Sequence, residues 1–117
     1  YNKKFNFNYT GDQVITTIGA TEGINASLQA ILNPGDTVIV PTPVFPLYLP
    51  ITLVNQGNFI TVDTSEDGFV LTADKLRATI EANPDKNFKA VVLVYPSNPT
   101  GVTYSKEQLE ELLAQYL

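Results

Sequence analysis

Four short runs of mostly β-branched residues, each followed by a helical pattern, constrain the fold of this chain more than any other feature. They cover residues 14–18, 37–40, 59–62 and 90–94. Val14, Ile15, Thr16, Thr17 and Ile18 make the first, β-branched throughout. Such runs read as strands. After the first run, Ile24, Leu28, Ile31 and Leu32 recur at helical spacing, and Asn33-Pro34-Gly35 stops that helix. Residues 45–56 read as a second helix that Gly57 ends, with Pro46 in its first turn and Pro50 loosening it. Thr72 caps a third helix over 73–82. Ser105 and Gln108 form a capping box for a fourth, with Leu109, Leu112, Leu113 and Tyr116 on its apolar face. Strand and helix alternating four times mean an α/β fold with a largely parallel sheet.

The chemistry that this composition leaves open is narrow. The 117 residues suffice for one domain with a core, and 44% hydrophobic against 16% charged is globular. With no cysteine there is no disulfide framework or thiol catalysis; with no histidine either, the usual zinc ligands are missing. A net charge of −5 argues against nucleic-acid binding. No apolar run approaches the roughly 20 residues that a membrane helix needs, and no signal peptide is visible. The expectation is a soluble, cytoplasmic protein.

Three turns carry candidate site residues. Ligands of open parallel sheets bind beyond the carboxyl ends of the strands. Gly19-Ala20-Thr21 lies between a strand and a helix, where unpartnered N–H groups and partial positive charge suit a phosphate. Alternatively, Thr21 is a plain helix cap. Glu22 puts a carboxylate close to such an anion and has to point outward. Phe45, in Pro43-Val44-Phe45-Pro46-Leu47-Tyr48, can lie flat on a planar ring, or it can pack into the core. Asn98 stands in Tyr95-Pro96-Ser97-Asn98-Pro99-Thr100-Gly101 with proline on either side of its short turn. It can offer its amide to a ligand, or bond only its own backbone.

The last of these segments resembles the N-P-x-N-P-T-G signature of class I/II aminotransferases, the fold-type-I enzymes that use pyridoxal phosphate. Gly19-Ala20-Thr21-Glu22-Gly23-Ile24 is similar to the family's phosphate-holding turn, and Pro43 to Tyr48 to its P-x-Y-P-x-Y segment. The likeness runs from about Phe5 onward. It is strongest to the bacterial aromatic-amino-acid and acetyl-diaminopimelate group. It implies a three-layer α/β/α arrangement, with residues 1–117 forming a single partial domain, the central part of the large cofactor-binding domain. It implies Ala20 and Thr21 on the cofactor phosphate and Phe45 over its ring. It implies Asn98 on the ring oxygen and near the substrate carboxylate. Amino acids and 2-oxo acids would be the substrates. A strand over 14–18 without a partner in this segment would pair with a second copy, re-pair within the chain or be disordered, and self-association into a homo-oligomer is the expected outcome. In the resembling fold the strand over 37–40 lies between those over 59–62 and 90–94, while the first sits apart from them.

The resemblance also implies what is missing. The Schiff-base lysine, the acid on the ring nitrogen and the substrate-binding arginine follow the N-P-T-G helix in that family. Lys3, Lys4, Lys75, Lys86, Lys89 and Lys106 match no such position, and Arg77 lies away from the three motifs. The expected chain is therefore an aminotransferase fragment that is inactive alone. A self-contained flavodoxin-like phosphate- or nucleotide-binding module, and a piece of a pyridoxal-phosphate carbon–sulfur lyase, are the alternatives.

Overall fold

The structure, a computed structural model, describes residues 1–115. Its elements are α1 (Asn2–Phe5), a 3₁₀ turn at Gly11–Gln13, α2 (Gly19–Ile31), β1 (Thr37–Thr42), α3 (Tyr48–Val54) and β2 (Asn58–Asp63). A second 3₁₀ turn at Ser65–Asp67, α4 (Ala73–Glu81), β3 (Phe88–Val91) and α5 (Lys106–Ala114) complete it. The strands form one parallel sheet in the order β2-β1-β3, the order that the resemblance implied for these three.

Alternation along β1 divides the core into two layers. Val38 and Val40 face Leu28 of α2 and Ile51 of α3. Ile39 faces the other way, onto Val62, Leu71, Leu76 of α4 and Leu112 of α5. Val38, Ile39 and Val40 are wholly buried, as a strand covered on both faces requires. A bulge in β3 sits beside Thr37 and Val38: Thr37 pairs with Phe88, but Val38 pairs with Ala90, so Lys89 is the extra residue. Phe88 therefore turns to the α4–α5 side while Ala90 faces the α2–α3 side.

Pro41 explains where β3 stops. The Val92 N–H donates to the Ile39 carbonyl at 2.9 Å, so Ile39 faces β3, and two residues on Pro41 faces it too. Proline has no N–H to give, and the strand expected over 90–94 leaves the ladder after its first steps. Toward β2 no donor is lost: β1 continues through Thr42, whose carbonyl accepts from the Thr64 N–H at 3.0 Å.

Two other expectations are corrected. Residues 14–18 form no strand. They pair with nothing among the described residues and run as an exposed connection, with Ile15 and Ile18 88% and 90% exposed. β-branched residues favour a pleated, half-buried surface, and here no neighbouring strand supplies one. The helix over 45–56 shortens to Tyr48–Val54. Starting at Tyr48 puts Pro50 in the first turn, where its missing N–H would have had no partner.

The helix starts at α4 and α5 are as expected. The Lys75 N–H donates to the Thr72 hydroxyl at 3.3 Å. Ser105 and Gln108 close a reciprocal box, with Gln108 N–H to the Ser105 hydroxyl at 3.2 Å and Ser105 N–H to Gln108 Oε1 at 2.9 Å. Tyr116 lies outside the described residues.

Candidate cofactor site

Parallel strands share one carboxyl edge. α2 leads straight into β1 and folds back antiparallel to it, so its N-terminus stands at that edge. α4 and α5 follow β2 and β3 and begin there as well. The three turns singled out by sequence are thus brought to the same side of the sheet. A groove of about 420 Å³, lined among others by Ala20, Ile24, Tyr48 and Leu93, joins the first turns of α2 to the chain leaving β3.

At α2, Gly19 enters the helix at φ 75°, a backbone that side chains other than glycine rarely adopt. Thr21 is the third residue of this 13-residue helix and not its cap. Ile18 holds the cap position and has no side-chain oxygen to offer. Neither the Ala20 and Thr21 backbone N–H groups nor the Thr21 hydroxyl is bonded to another described residue. Glu22 does not point away. Its carboxylate turns back over the helix start and accepts from the Ile18 N–H. It takes the N–H before the helix and leaves those of Ala20 and Thr21 open.

After β1, Phe45 is 45% exposed, so its ring does not join the core. Val44, Leu47 and Tyr48 do pack onto the α2–α3 cluster and anchor the turn around it. After β3, residues 95–104 close a loop on themselves. The Ser97 N–H donates to the Val102 carbonyl at 2.7 Å, and the Gly101 N–H to the Ser97 carbonyl at 2.8 Å. Gly101, at φ 75°, allows that second bond to form in a tight turn. Asn98 is exposed at the tip, and its amide is bonded to no described residue. The reading in which Asn98 merely bonds its own backbone is not what the loop does.

The lysines of α4 and α5, near this edge, are paired. The Lys75 ammonium donates to the Asp63 carbonyl at 2.8 Å and pairs with Asp67. The Asp67 partner raises the Lys75 pKa, with Glu66 and Asp63 adding to it. Asp63 is held below the usual carboxylate range, chiefly by the Ser65 N–H that it accepts at 2.9 Å. Lys106 at the start of α5 pairs with Glu110 at 3.5 Å. At the opposite edge, the buried Asp36 accepts from the Asn33 N–H at 2.8 Å and the Asn87 amide at 2.6 Å. The Asn33 bond is the main reason why its pKa lies below the ordinary value, and burial partly offsets it.

Sequence reasoning missed Tyr104, whose hydroxyl accepts from the Leu71 N–H at 2.9 Å. A bond across 33 residues leaves no local signal.

The profile described as "Aminotransferase class I and II" matches residues 2–116. This chain belongs to the class I and II aminotransferases. Among its aminotransferase relatives, a probable N-acetyl-LL-diaminopimelate aminotransferase of Bacillus subtilis is 46% identical over 96% of this chain and 28% of that protein. A glutamate-pyruvate aminotransferase of Haemophilus influenzae is 35% identical over 97% of the chain and 27% of its own length. In three dimensions it is similar to the aspartate aminotransferase of Rhizobium meliloti, at TM-score 0.84, 30% identity and coverage of 98% of this chain and 28% of the other. The Thermus thermophilus aspartate aminotransferase solved with maleate gives 0.85 at 34% identity, covering 97% and 29%. The aminotransferase segment described here therefore spans a little over a quarter of the length of these relatives.

Proposed function

We propose that this chain is the part of an aminotransferase large domain that holds the phosphate and one face of pyridoxal phosphate. The whole enzyme would move an amino group between an amino acid and a 2-oxo acid. The observation that carries this reading is a set of free groups gathered at one sheet edge in a chain of this family. They are the open N–H groups of Ala20 and Thr21, the Thr21 hydroxyl, and the unbonded Asn98 amide. An anion fits the first three without any lysine. The exposed face of Phe45 offers a ring to stack upon, worth about 0.5–1.5 kcal/mol beyond area burial.

Pyridoxal phosphate, when bound, supplies the electron sink for amino-group chemistry. This chain's residues bind and orient. The open N–H groups at the α2 N-terminus and the Thr21 hydroxyl would hold the phosphate, Phe45 would offer its ring to the cofactor ring, and the Asn98 amide N–H would donate to the ring oxygen. The nucleophilic amine comes from elsewhere in the enzyme. Lys75 is tied down as a paired ammonium, and Lys106 is paired on the α5 surface. The relatives carry the names of several amino-acid substrates, and choice among them lies with residues beyond this segment.

Two measurements test the reading. In the full-length enzyme, Asn98→Ala should lower turnover and raise the pH midpoint of the cofactor's absorbance change, because a donor that stabilises the ring oxygen is lost. An unchanged midpoint removes Asn98 from the cofactor. The chain alone, with pyridoxal phosphate, borohydride and an amino-acid/oxo-acid pair, should show no turnover and no adduct confined to one lysine. Measurable turnover, or an adduct confined to one lysine, would contradict the assignment.

A further inference from the structure

We infer that Tyr104 is a positioning residue for Asn98, a proposal that rests on the cofactor reading above. Asn98 sits at the tip of a loop whose two ends are Tyr95 and Tyr104. Their rings meet edge-on, with centroids 5.7 Å apart and planes at 69°, so an aromatic pair closes the neck of the loop. Tyr104 is also fixed from outside, because its hydroxyl accepts the Leu71 N–H at 2.9 Å on the segment leading into α4. The ring packs against the α4–α5 core cluster, and burial raises the pKa of its phenol, which therefore stays neutral. Ser97 and Tyr104 share a small pocket with Pro41, Pro43, Thr64 and Phe69, from the ends of β1 and β2. Tyr104 thereby ties the Asn98 loop to the segment leading into α4 and to the core beneath it. Without that tether the two bonds inside the loop, at Ser97 and Gly101, would hold its shape but not its place.

Tyr104→Phe keeps the ring pair and removes only the acceptor; Tyr104→Leu removes both. In the full-length apoenzyme, hydrogen exchange at the Ser97 and Gly101 amides should quicken about two- to tenfold in Tyr104→Phe and further in Tyr104→Leu, relative to the Val38 and Val40 amides of β1. In the full-length enzyme the pH midpoint of the cofactor absorbance should rise in both variants, in the direction of Asn98→Ala. A structural defect alone lowers the amount of folded enzyme and leaves that midpoint in place. Unchanged loop exchange, or faster exchange with an unmoved midpoint in cofactor-loaded enzyme, overturns the proposal. If the wild-type enzyme takes up no cofactor, the functional reading fails, and the exchange experiment still decides whether Tyr104 holds the loop.

Discussion

Thr21→Val separates a ligand contact from a helix start. The substitution keeps the β-branched shape and removes one hydroxyl. That hydroxyl bonds to no described residue and is exposed, so the fold has nothing to lose at this atom. Stability should stay within about 0.5 kcal/mol, as for ordinary surface changes. A phosphate at the α2 N-terminus would lose one hydrogen bond. Its net worth is about 0.5–1.5 kcal/mol, and water competing at an exposed site keeps it in that range. The cofactor Kd should therefore rise about two- to thirteenfold. The assay is an absorbance titration of pyridoxal phosphate into the full-length apoenzyme, run beside urea unfolding of the same sample. Equal affinity in both proteins would refute the assignment. So would a stability loss as large as the binding loss, because that is the behaviour of a helix cap.

Two further predictions concern the scaffold. Ile39→Ala and Leu76→Ala each delete three buried carbons, so the transfer cost is alike, about 2.4 kcal/mol at 0.8 per group. Ile39 is held between two paired strands, whereas Leu76 lines an apolar cleft of about 310 Å³ that can relax around the gap. In urea unfolding Ile39→Ala should cost nearer 5 kcal/mol and Leu76→Ala nearer 2.7, the two ends of the measured cavity range, each to about 1 kcal/mol; the reverse order would refute the packing argument. Asp36 has a folded pKa below its unfolded value, so its contribution is complete above the unfolded pKa of about 3.9 and is lost as pH falls through the lower folded value. The stability gap between wild type and Asp36→Asn should be flat above about pH 5 and close in stronger acid. A gap that instead widened on acidification would contradict this sign.

Local chemistry was legible in the sequence. The Ser105–Gln108 box and the Thr72 cap involve residues three apart, and their bonds form wherever the helix begins. The runs that became β1, β2 and β3, and the turns at Gly19, Phe45 and Asn98, were placed from β-branching, proline and glycine. The order of the three strands came through the resemblance. What the sequence could not settle depends on neighbours in space. Residues 14–18 have the composition of a strand, but a strand exists only where another lies beside it, and none does among the described residues. β3 ends where Pro41, on a different strand, turns a donorless nitrogen toward it. Glu22 looked like an intruder at an anion site until the fold showed its carboxylate turned back onto the Ile18 N–H. Tyr104 reaches Leu71 across 33 residues. Propensity and capping are properties of a few adjacent residues, whereas pairing, orientation and tethering arise only when distant segments are brought within hydrogen-bond reach.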